Sequence, residues 1–260
     1  MNGFIQTTIN NLTLRHLLHN IPYIMSIARH IPNAITSLNL FSGCIAITMA
    51  FNGKFEMAGA FILLAAVFDF FDGMTARLLK SYSDIGKELD SLADMVSFGV
   101  APSIIFFKLM QLGFAGVQDG AANYLPYLAF IIAVFSALRL AKFNIDTRQT
   151  SSFIGLPTPA NALFLLSFGL LYTSNLSYKD TILNPYVLLV IAIIFALLLV
   201  AEIPMFALKV KSLKWKGNEI RYIFLGLSAG IVLMLHEMAL LGIIPLYIII
   251  SLFTQKKQVA

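Results

Sequence analysis

Charged residues and cysteine are both scarce in this chain. Only 12% of its 260 residues are charged and 58% are hydrophobic, whereas about a quarter of the residues in a soluble domain are charged. The mean hydropathy of +0.83 reflects the same bias. This composition excludes an ordinary water-soluble globular domain. The single cysteine, Cys44, excludes an internal disulfide and a cysteine-based metal site.

Long apolar runs take the place of the missing charge. A membrane-spanning helix needs about 20 mostly apolar residues, and eight segments of this chain come close to that length. They cover residues 34–51, 55–71, 94–112, 124–140, 160–172, 186–203, 222–235 and 238–253. The sequence therefore predicts an all-α fold: a polytopic membrane helix bundle of about eight transmembrane helices.

Positive charge is distributed unevenly over the connections between these segments. Arg77, Lys80 and Lys87 lie between the second and the third segment, and the connections between the fourth and fifth and between the sixth and seventh are similarly basic. The connections that alternate with these hold almost no positive charge. Basic connections stay in the cytoplasm, so both termini are predicted to be cytoplasmic. The protein itself is predicted to lie in the cytoplasmic (inner) membrane. This topology and anionic lipid headgroups explain the net charge of +5, so no nucleic-acid partner is required.

The first 33 residues differ from the rest. Leu14, Leu17, Leu18 and Ile21 recur at roughly helical spacing, with Arg15 among them. An amphipathic helix of this type lies in the plane of the lipid headgroups. The sequence therefore predicts an interfacial helix region at 1–33 and a membrane domain at 34–260. The opening residues are polar, so we expect no cleavable signal sequence.

Four carboxylates lie beside the apolar runs: Asp69, Asp72, Asp90 and Asp94. Ionisable groups at membrane depth are costly and tend to face a polar cavity, a partner or an ion. Residues three or four apart share one face of a helix. The first two acids should therefore project together from the end of the second span, and the last two from the start of the third. The short connection 78–87 predicts antiparallel neighbours, on which both pairs converge.

A divalent cation is the compensating charge that this pattern indicates. Oxygen ligands suit Mg²⁺, Mn²⁺ or Ca²⁺, and no Cys or His lies near the acids to indicate zinc. Two cations about 4 Å apart could brace both the attacking and the leaving oxygen of a phosphoryl centre. The alternative is helix capping, with Asp84 or Glu88 at the start of the third span. Capping does not account for Asp69 and Asp72, which follow an apolar run.

The spacing across residues 69–94 matches a known signature. The pattern Asp-x2-Asp-Gly-x2-Ala-Arg-x8-Gly-x3-Asp-x3-Asp resembles that of the CDP-alcohol phosphatidyltransferase family, with every position filled. Members of that family are integral membrane enzymes that transfer a phosphatidyl or phospho-alcohol group from a CDP-linked donor to a hydroxyl acceptor, releasing CMP. The resemblance implies two divalent metals, held by Asp69, Asp72, Asp90 and Asp94. It also implies that Asp94 is the general base for the acceptor.

A nucleotide pocket is implied by the same resemblance. The Pro32-Asn33-x2-Thr36 element that opens the first span is also similar to the family's. Ala76 and Gly86 would give the CDP moiety room, and Gly73, Arg77 and Ser83 would contact it. The residues implied for CDP binding are Asn33, Thr36, Gly73, Ala76, Arg77, Ser83 and Gly86.

Three further segments bear on the acceptor. Residues 89–102, 139–144 and 155–160 resemble the phosphatidylserine synthase branch of the family, which implies CDP-diacylglycerol as donor and L-serine as acceptor. Family resemblance also implies a homodimer. Arg139, Lys142 and Asn144 are expected level with the acids, where one or more would bind the serine carboxylate or the donor phosphate. Lys142 replaces an Arg common in that branch, so bidentate geometry is lost there. The alternative for these residues is anchoring at the interface.

Two other functions remain open at this point. The same chemistry could use glycerol 3-phosphate or an inositol phosphate as its acceptor. A cation or small-solute transporter would instead use the acids as an ion path, and it would place polar residues at mid-membrane depth in several spans. The acids of this chain gather at one face of the predicted bundle, which favours an enzyme.

Overall fold

The computed structural model describes residues 30–115, 117, 120–146, 153–177, 179–206, 215 and 217–255. The predicted interfacial helix region at 1–33 lies almost entirely outside these residues. The described chain is mostly helical, with one short pair of β-strands.

Helical structure coincides with each of the eight predicted apolar segments. The first part of the chain contains α1 (Ile31–Phe51), α2 (Phe55–Leu79), α3 (Asp84–Asp94), a π-helical segment (Met95–Val100), α4 (Ala101–Gly113), the 3-10 helices Gly120–Asn123 and Leu125–Phe130, and α5 (Ile131–Ile145). The second part contains β1 (Phe153–Ile154), α6 (Thr158–Thr173), α7 (Lys179–Ile182), α8 (Pro185–Val200), β2 (Pro204–Met205), α9 (Glu219–Leu235), a 3-10 turn (His236–Met238) and α10 (Ala239–Gln255).

Four helical stretches of the described chain are long and apolar enough to cross a membrane. They are Ile31–Phe51, Phe55–Leu79, Asp84–Gly113 and Leu125–Ile145. Three other apolar helices in the same residues are shorter: Thr158–Thr173, Pro185–Val200 and Ala239–Thr254. α6 and α8 have 16 residues each, which is about 24 Å of helix against about 30 Å of bilayer hydrocarbon. The fold is thus compatible with an integral membrane protein, but a count of eight full-length spans is not confirmed.

α1 lies at the centre of the arrangement that positions the acidic residues. It packs along α2 and also against α3, the π-helical segment and α4. Gly43 permits this approach, because a Cβ atom there would lie 2.9 Å from the Cα atom of Ser97. The direct packing of the second span on the third that the short connection predicts is limited. α2 instead has its main contacts with α1 and α6.

The connection between α2 and α3 is shorter than predicted. It consists of residues 80–83 rather than 78–87, because both helices extend into the polar stretch. α2 ends at Lys80, whose left-handed backbone has φ of 50°. α3 begins after Ser83, whose side-chain oxygen accepts a hydrogen bond from the Gly86 N–H at 3.0 Å. A hydroxyl at this position satisfies one of the free N–H groups of the first turn.

The π-helical segment follows directly after Asp94. Such turns are rare, occur mostly as single-turn bulges inside α-helices, and are frequent at functional sites. Met95–Val100 packs against α1, α5 and α6. A Cβ atom at Gly99 would lie 3.0 Å from the Cβ atom of Ser136, so the missing side chain lets α5 approach. The segment therefore joins the acidic helix α3 to the polar face of α5.

A pair of two-residue strands connects the start of α6 to the end of α8. β1 and β2 are antiparallel, with Phe153 opposite Met205. Gly155 follows β1 with φ of +78°, a left-handed conformation that glycine adopts without steric cost. Its N–H donates to the carbonyl of Ile203 at 2.9 Å. These strands are a small departure from the predicted all-α fold, since two-residue strands produce no detectable alternation of polar and apolar residues.

Candidate active site

Three carboxylates, two from α2 and one from α3, converge in the structure. One side-chain oxygen from each of Asp69, Asp72 and Asp90 lies within 4.8 Å of the others. The first two are three residues apart in α2, so they share one helix face. Asp72 is buried, and the other two are half-buried. The structure thus brings together residues from both acidic pairs.

Asp94 lies beside this group and is held by α1. Its carboxyl group neighbours that of Asp69 and is only 8% exposed. The Asn39 Nδ2 donates to Asp94 Oδ1 at 3.2 Å. The Ser97 Oγ in turn donates to the backbone carbonyl of Asn39 at 3.0 Å. Asp94 is therefore held by the side chain of Asn39, and the backbone of Asn39 is in turn held by the π-helical segment.

The carboxylate group fits a hard divalent cation. Asp72 Oδ2 and Asp90 Oδ1 are buried and have no hydrogen-bond partner among the described residues. Buried polar atoms are normally paired, so unpaired oxygens facing other carboxylates indicate a missing positive partner. An all-oxygen donor set suits Mg²⁺, Mn²⁺ or Ca²⁺ rather than zinc. The residues present therefore fit the divalent metal that the signature implies.

A cleft of about 270 Å³ lies beside the carboxylates. Asp72 and Asp90 line it. So do all the residues for which CDP binding was implied: Asn33, Thr36, Gly73, Ala76, Arg77, Ser83 and Gly86. Ser81, Tyr82 and Lys87 line the same cleft and were not predicted, although they lie between the two halves of the signature. Two residues of the acidic group and all the implied nucleotide contacts therefore surround one space.

Two of the residues implied for CDP binding also have local structural roles at this cleft. Ser83 caps α3, so neither Asp84 nor Glu88, the residues named in the capping alternative, is the cap; Asp84 lies in the first helical turn. A Cβ atom at Gly86 would lie 2.9 Å from Asn33 Oδ1. The absent side chain thus gives room to Asn33 of α1 as well as to the cleft.

Arg139 is the candidate acceptor residue whose charge interacts with the acidic group. It is only 7% exposed, and its charge interacts with that of Asp94. Its Nη1 donates to Thr158 Oγ1 at 2.9 Å, and its guanidinium carbon lies 5.3 Å from the ring centroid of Phe143. A buried guanidinium in these contacts does not have the exposure expected of an interfacial anchor.

The other two candidate acceptor residues are placed differently. Lys142 is exposed and lines, with Arg139, a second cavity of about 310 Å³ that also includes Glu202. Asn144 does not line this cavity. Its Nδ2 donates to Ser91 Oγ at 2.9 Å, and its carbonyl accepts a hydrogen bond from Lys87 Nζ at 2.9 Å. Asn144 therefore connects α5 to α3.

Asn39, Ser97 and Thr158 belong to the site but were not predicted as site residues. A signal for the first of them exists in α1, where Pro32, Thr36, Asn39 and Gly43 recur at helical spacing along one buried face. Polar and small residues on one face of an otherwise apolar span indicate contact with another helix or a ligand. The pattern alone does not reveal that Asp94 is the partner.

Three curated proteins are similar in sequence to this chain over half to two thirds of its length. A CDP-diacylglycerol–serine O-phosphatidyltransferase of Bacillus subtilis is 40% identical over 143 residues, 54% of this chain and 76% of its own length. One from Methanocaldococcus jannaschii is 35% identical over 173 residues, 66% of this chain and 72% of its own. One from Helicobacter pylori is 38% identical over 137 residues, 52% of this chain and 55% of its own, so the match spans about half of that relative.

The family assignment rests on a longer match. The model of the CDP-alcohol phosphatidyltransferase family matches residues 29–208, which is more than half of the chain and includes every residue of the acidic group and the cleft. The match begins just before α1 and ends just after β2. The chain therefore belongs to the CDP-alcohol phosphatidyltransferase family.

Proposed function

We propose that this protein transfers the phosphatidyl group of CDP-diacylglycerol to the hydroxyl group of L-serine, giving phosphatidylserine and CMP. The observation that carries the proposal is the shared space of Asp72, Asp90 and the implied nucleotide residues. The names of the relatives from Bacillus, Methanocaldococcus and Helicobacter support serine as acceptor over glycerol 3-phosphate or an inositol phosphate.

The cleft is the proposed site of the donor's CDP moiety. Gly73 and Ala76 present little side chain to it, so a ligand can come close to the α2 backbone. Arg77 and Lys87 line the same space and carry the positive charge that a diphosphate attracts. The two diacylglycerol chains would remain in the bilayer, which the exposed apolar side chains of α2 support, among them Phe70 and Phe71.

Asp69, Asp72, Asp90 and Asp94 are the proposed ligands of two divalent cations, Mg²⁺ or Mn²⁺ with Ca²⁺ as a further candidate. Cations held by these residues would supply positive charge that offsets the charge of the diphosphate and of the CMP leaving group. The all-oxygen donor set favours these cations over zinc.

Asp94 is the proposed general base. The serine hydroxyl oxygen attacks the phosphorus that carries diacylglycerol, and the hydroxyl proton passes to the Asp94 carboxylate. The bond from that phosphorus to the bridging oxygen breaks, and CMP leaves with the electron pair. The Asn39 amide on Oδ1 orients the carboxyl group and leaves Oδ2 for the proton. No His or Cys lies among the residues that line the described cleft, which supports direct transfer.

Arg139 is the proposed partner of the serine carboxylate. It is buried, its charge reaches Asp94, and it borders the second cavity together with Lys142. A guanidinium group pairs with a carboxylate through two parallel hydrogen bonds. Serine held in this way would lie close to the proposed general base, with which the Arg139 charge interacts.

The proposed setting is the cytoplasmic membrane, with both termini and the active site at the cytoplasmic face. The four span-length helices are compatible with an integral membrane protein, and the basic connections support this orientation. We further propose the domain division at residue 33/34 and a homodimeric assembly, the latter from family resemblance alone.

The decisive experiment is an acceptor panel. Purified protein is incubated in detergent with CDP-diacylglycerol, Mg²⁺ or Mn²⁺, and one of L-serine, glycerol 3-phosphate, inositol phosphate or no acceptor. We expect CMP release and phosphatidylserine only with L-serine. Equal CMP release without serine, or none with it, would remove the assignment. A transporter would release no CMP with any acceptor.

Arg139→Lys should raise the KM for L-serine about tenfold, because lysine keeps the charge but loses the bidentate contact. The KM for CDP-diacylglycerol should stay unchanged. Arg221→Lys is a matched control, since Arg221 lies on α9 and bonds the Gly217 carbonyl and Asn218 Oδ1. If Arg139 only anchored its helix at the interface, lysine would replace it without effect on either KM.

A further inference from the structure

Unpaired polar atoms are concentrated in the core between α5 and α6. Ser136 Oγ, Arg139 Nε and both amide atoms of Asn161 are buried and have no hydrogen-bond partner among the described residues. Ser136 and Asn161 are 0% exposed. Such groups are normally paired, and leaving them unpaired is destabilising. Their concentration in one part of the described core indicates a site for a polar molecule.

These atoms lie on faces that the structure brings together. Ser136 and Arg139 are three residues apart on α5, and Thr158 and Asn161 are three apart on α6, so each pair shares a helix face. The hydrogen bond of Arg139 to Thr158 joins the two faces. The unpaired Ser136 and Asn161 each lie one helical turn from that bond.

The π-helical segment connects this polar region to Asp94. The segment begins immediately after Asp94 and packs against both α5 and α6. At its other end, Gly99 lies directly against Ser136. A molecule bound to these groups would therefore be separated from the proposed general base by a single turn of helix.

We propose that Asn161 and Ser136 complete the acceptor pocket by binding the charged groups of the amino acid beside its hydroxyl. The inference rests on the proposed function and adds its specificity determinants. An amide can donate to a carboxylate and also accept from an ammonium group, and a serine hydroxyl can do either. Glycerol 3-phosphate and inositol phosphates carry no ammonium group. The pair Asn161–Ser136 thus selects an α-amino acid together with Arg139, which also lines the second cavity.

Asn161→Ala and Asn161→Leu test the proposal. With CDP-diacylglycerol saturating, each should raise the KM for L-serine about tenfold, since a hydrogen bond to a charged group is lost. The KM for CDP-diacylglycerol should not change. Ser167→Ala is the matched control, because Ser167 is equally buried on α6 but its Oγ donates to the Phe164 carbonyl. It should leave both KM values as in the wild type.

Thermal unfolding without serine separates substrate binding from a structural role. Removing an unpaired buried amide should leave the melting temperature of Asn161→Ala equal to or above that of the wild type. A lower melting temperature with an unchanged KM for serine would overturn the inference, as would a rise of both KM values together. If the wild type itself releases no CMP with serine, the proposed function fails. If it does and Asn161→Ala keeps the wild-type KM for serine, only this inference fails.

Discussion

Asp94→Asn should lose almost all turnover while the protein still binds CDP-diacylglycerol. Asparagine has nearly the same shape as aspartate but cannot take the proton of the acceptor hydroxyl. General-base catalysis contributes about 10²–10⁴-fold to rates, so we expect kcat to fall about 10³-fold. CMP release measures the turnover. Donor binding is measured separately, as the rise in melting temperature that CDP-diacylglycerol produces.

Asp84→Asn is the matched control for this variant. Asp84 lies on the same helix, is exposed, and is outside the cleft. Its replacement should leave kcat unchanged and cost at most about 1 kcal/mol through the helix dipole. Turnover near the wild-type rate in Asp94→Asn would show that another group is the base. Loss of donor binding in the same variant would instead assign Asp94 mainly to metal coordination.

Asp72→Asn and Asp90→Asn should abolish activity and, in chelated protein, raise the melting temperature. Without cations, the carboxylates of Asp69, Asp72 and Asp90 repel one another at 4.8 Å or less. Removing one of these charges relieves the repulsion. With Mg²⁺ or Mn²⁺ the order should reverse, because a cation that binds only the folded state stabilises it. The measurement is thermal unfolding of each protein with EDTA and with each cation.

The same series tests whether metal is required for activity. EDTA should remove the CMP release of the wild type, and added Mg²⁺ or Mn²⁺ should restore it. Asp84→Asn, which leaves the acidic group intact, should behave like the wild type in both assays. A wild type whose melting temperature ignores divalent cations, together with less stable Asp72→Asn in EDTA, would contradict the proposed metal site.

The convergence of the acidic residues could be predicted from local spacing, whereas the residues of the cleft were implied by the family resemblance. Asp69 and Asp72 are one helical turn apart in sequence, and Asp90 and Asp94 are likewise. The residues that were not predicted act across long sequence distances. Asn39 contacts Asp94 over 55 residues, and Thr158 contacts Arg139 over 19. Helical periodicity shows which residues share a face, but it does not show which face of another helix they meet.

The positions of the helices were predicted better than their ends. Each of the eight apolar runs contains helix in the described chain, since burial in lipid or protein requires apolar side chains. α3 begins at Asp84, ten residues before the third predicted segment, because the Ser83 cap and an amphipathic sequence extend the helix into polar residues. Hydropathy is insensitive to such caps. The limited contact between α2 and the third span also depends on α1, which a pattern confined to the two spans does not include.

The π-helical segment after Asp94 separates two requirements on one continuous helix. Each residue added to a helix rotates everything beyond it by about 100°. The extra residue of the π-helical turn at Met95–Val100 therefore sets the rotation of α3 relative to α4. The carboxylates of α3 must meet those of α2, whereas the side chains of α4 are mostly buried in the hydrophobic core. Substitutions in the buried part of α4 should therefore leave Asp90 and Asp94 directed at their partners. Deleting one residue from 95–100 would instead rotate α3 relative to α4, so that either the acidic residues or the core residues lose their alignment.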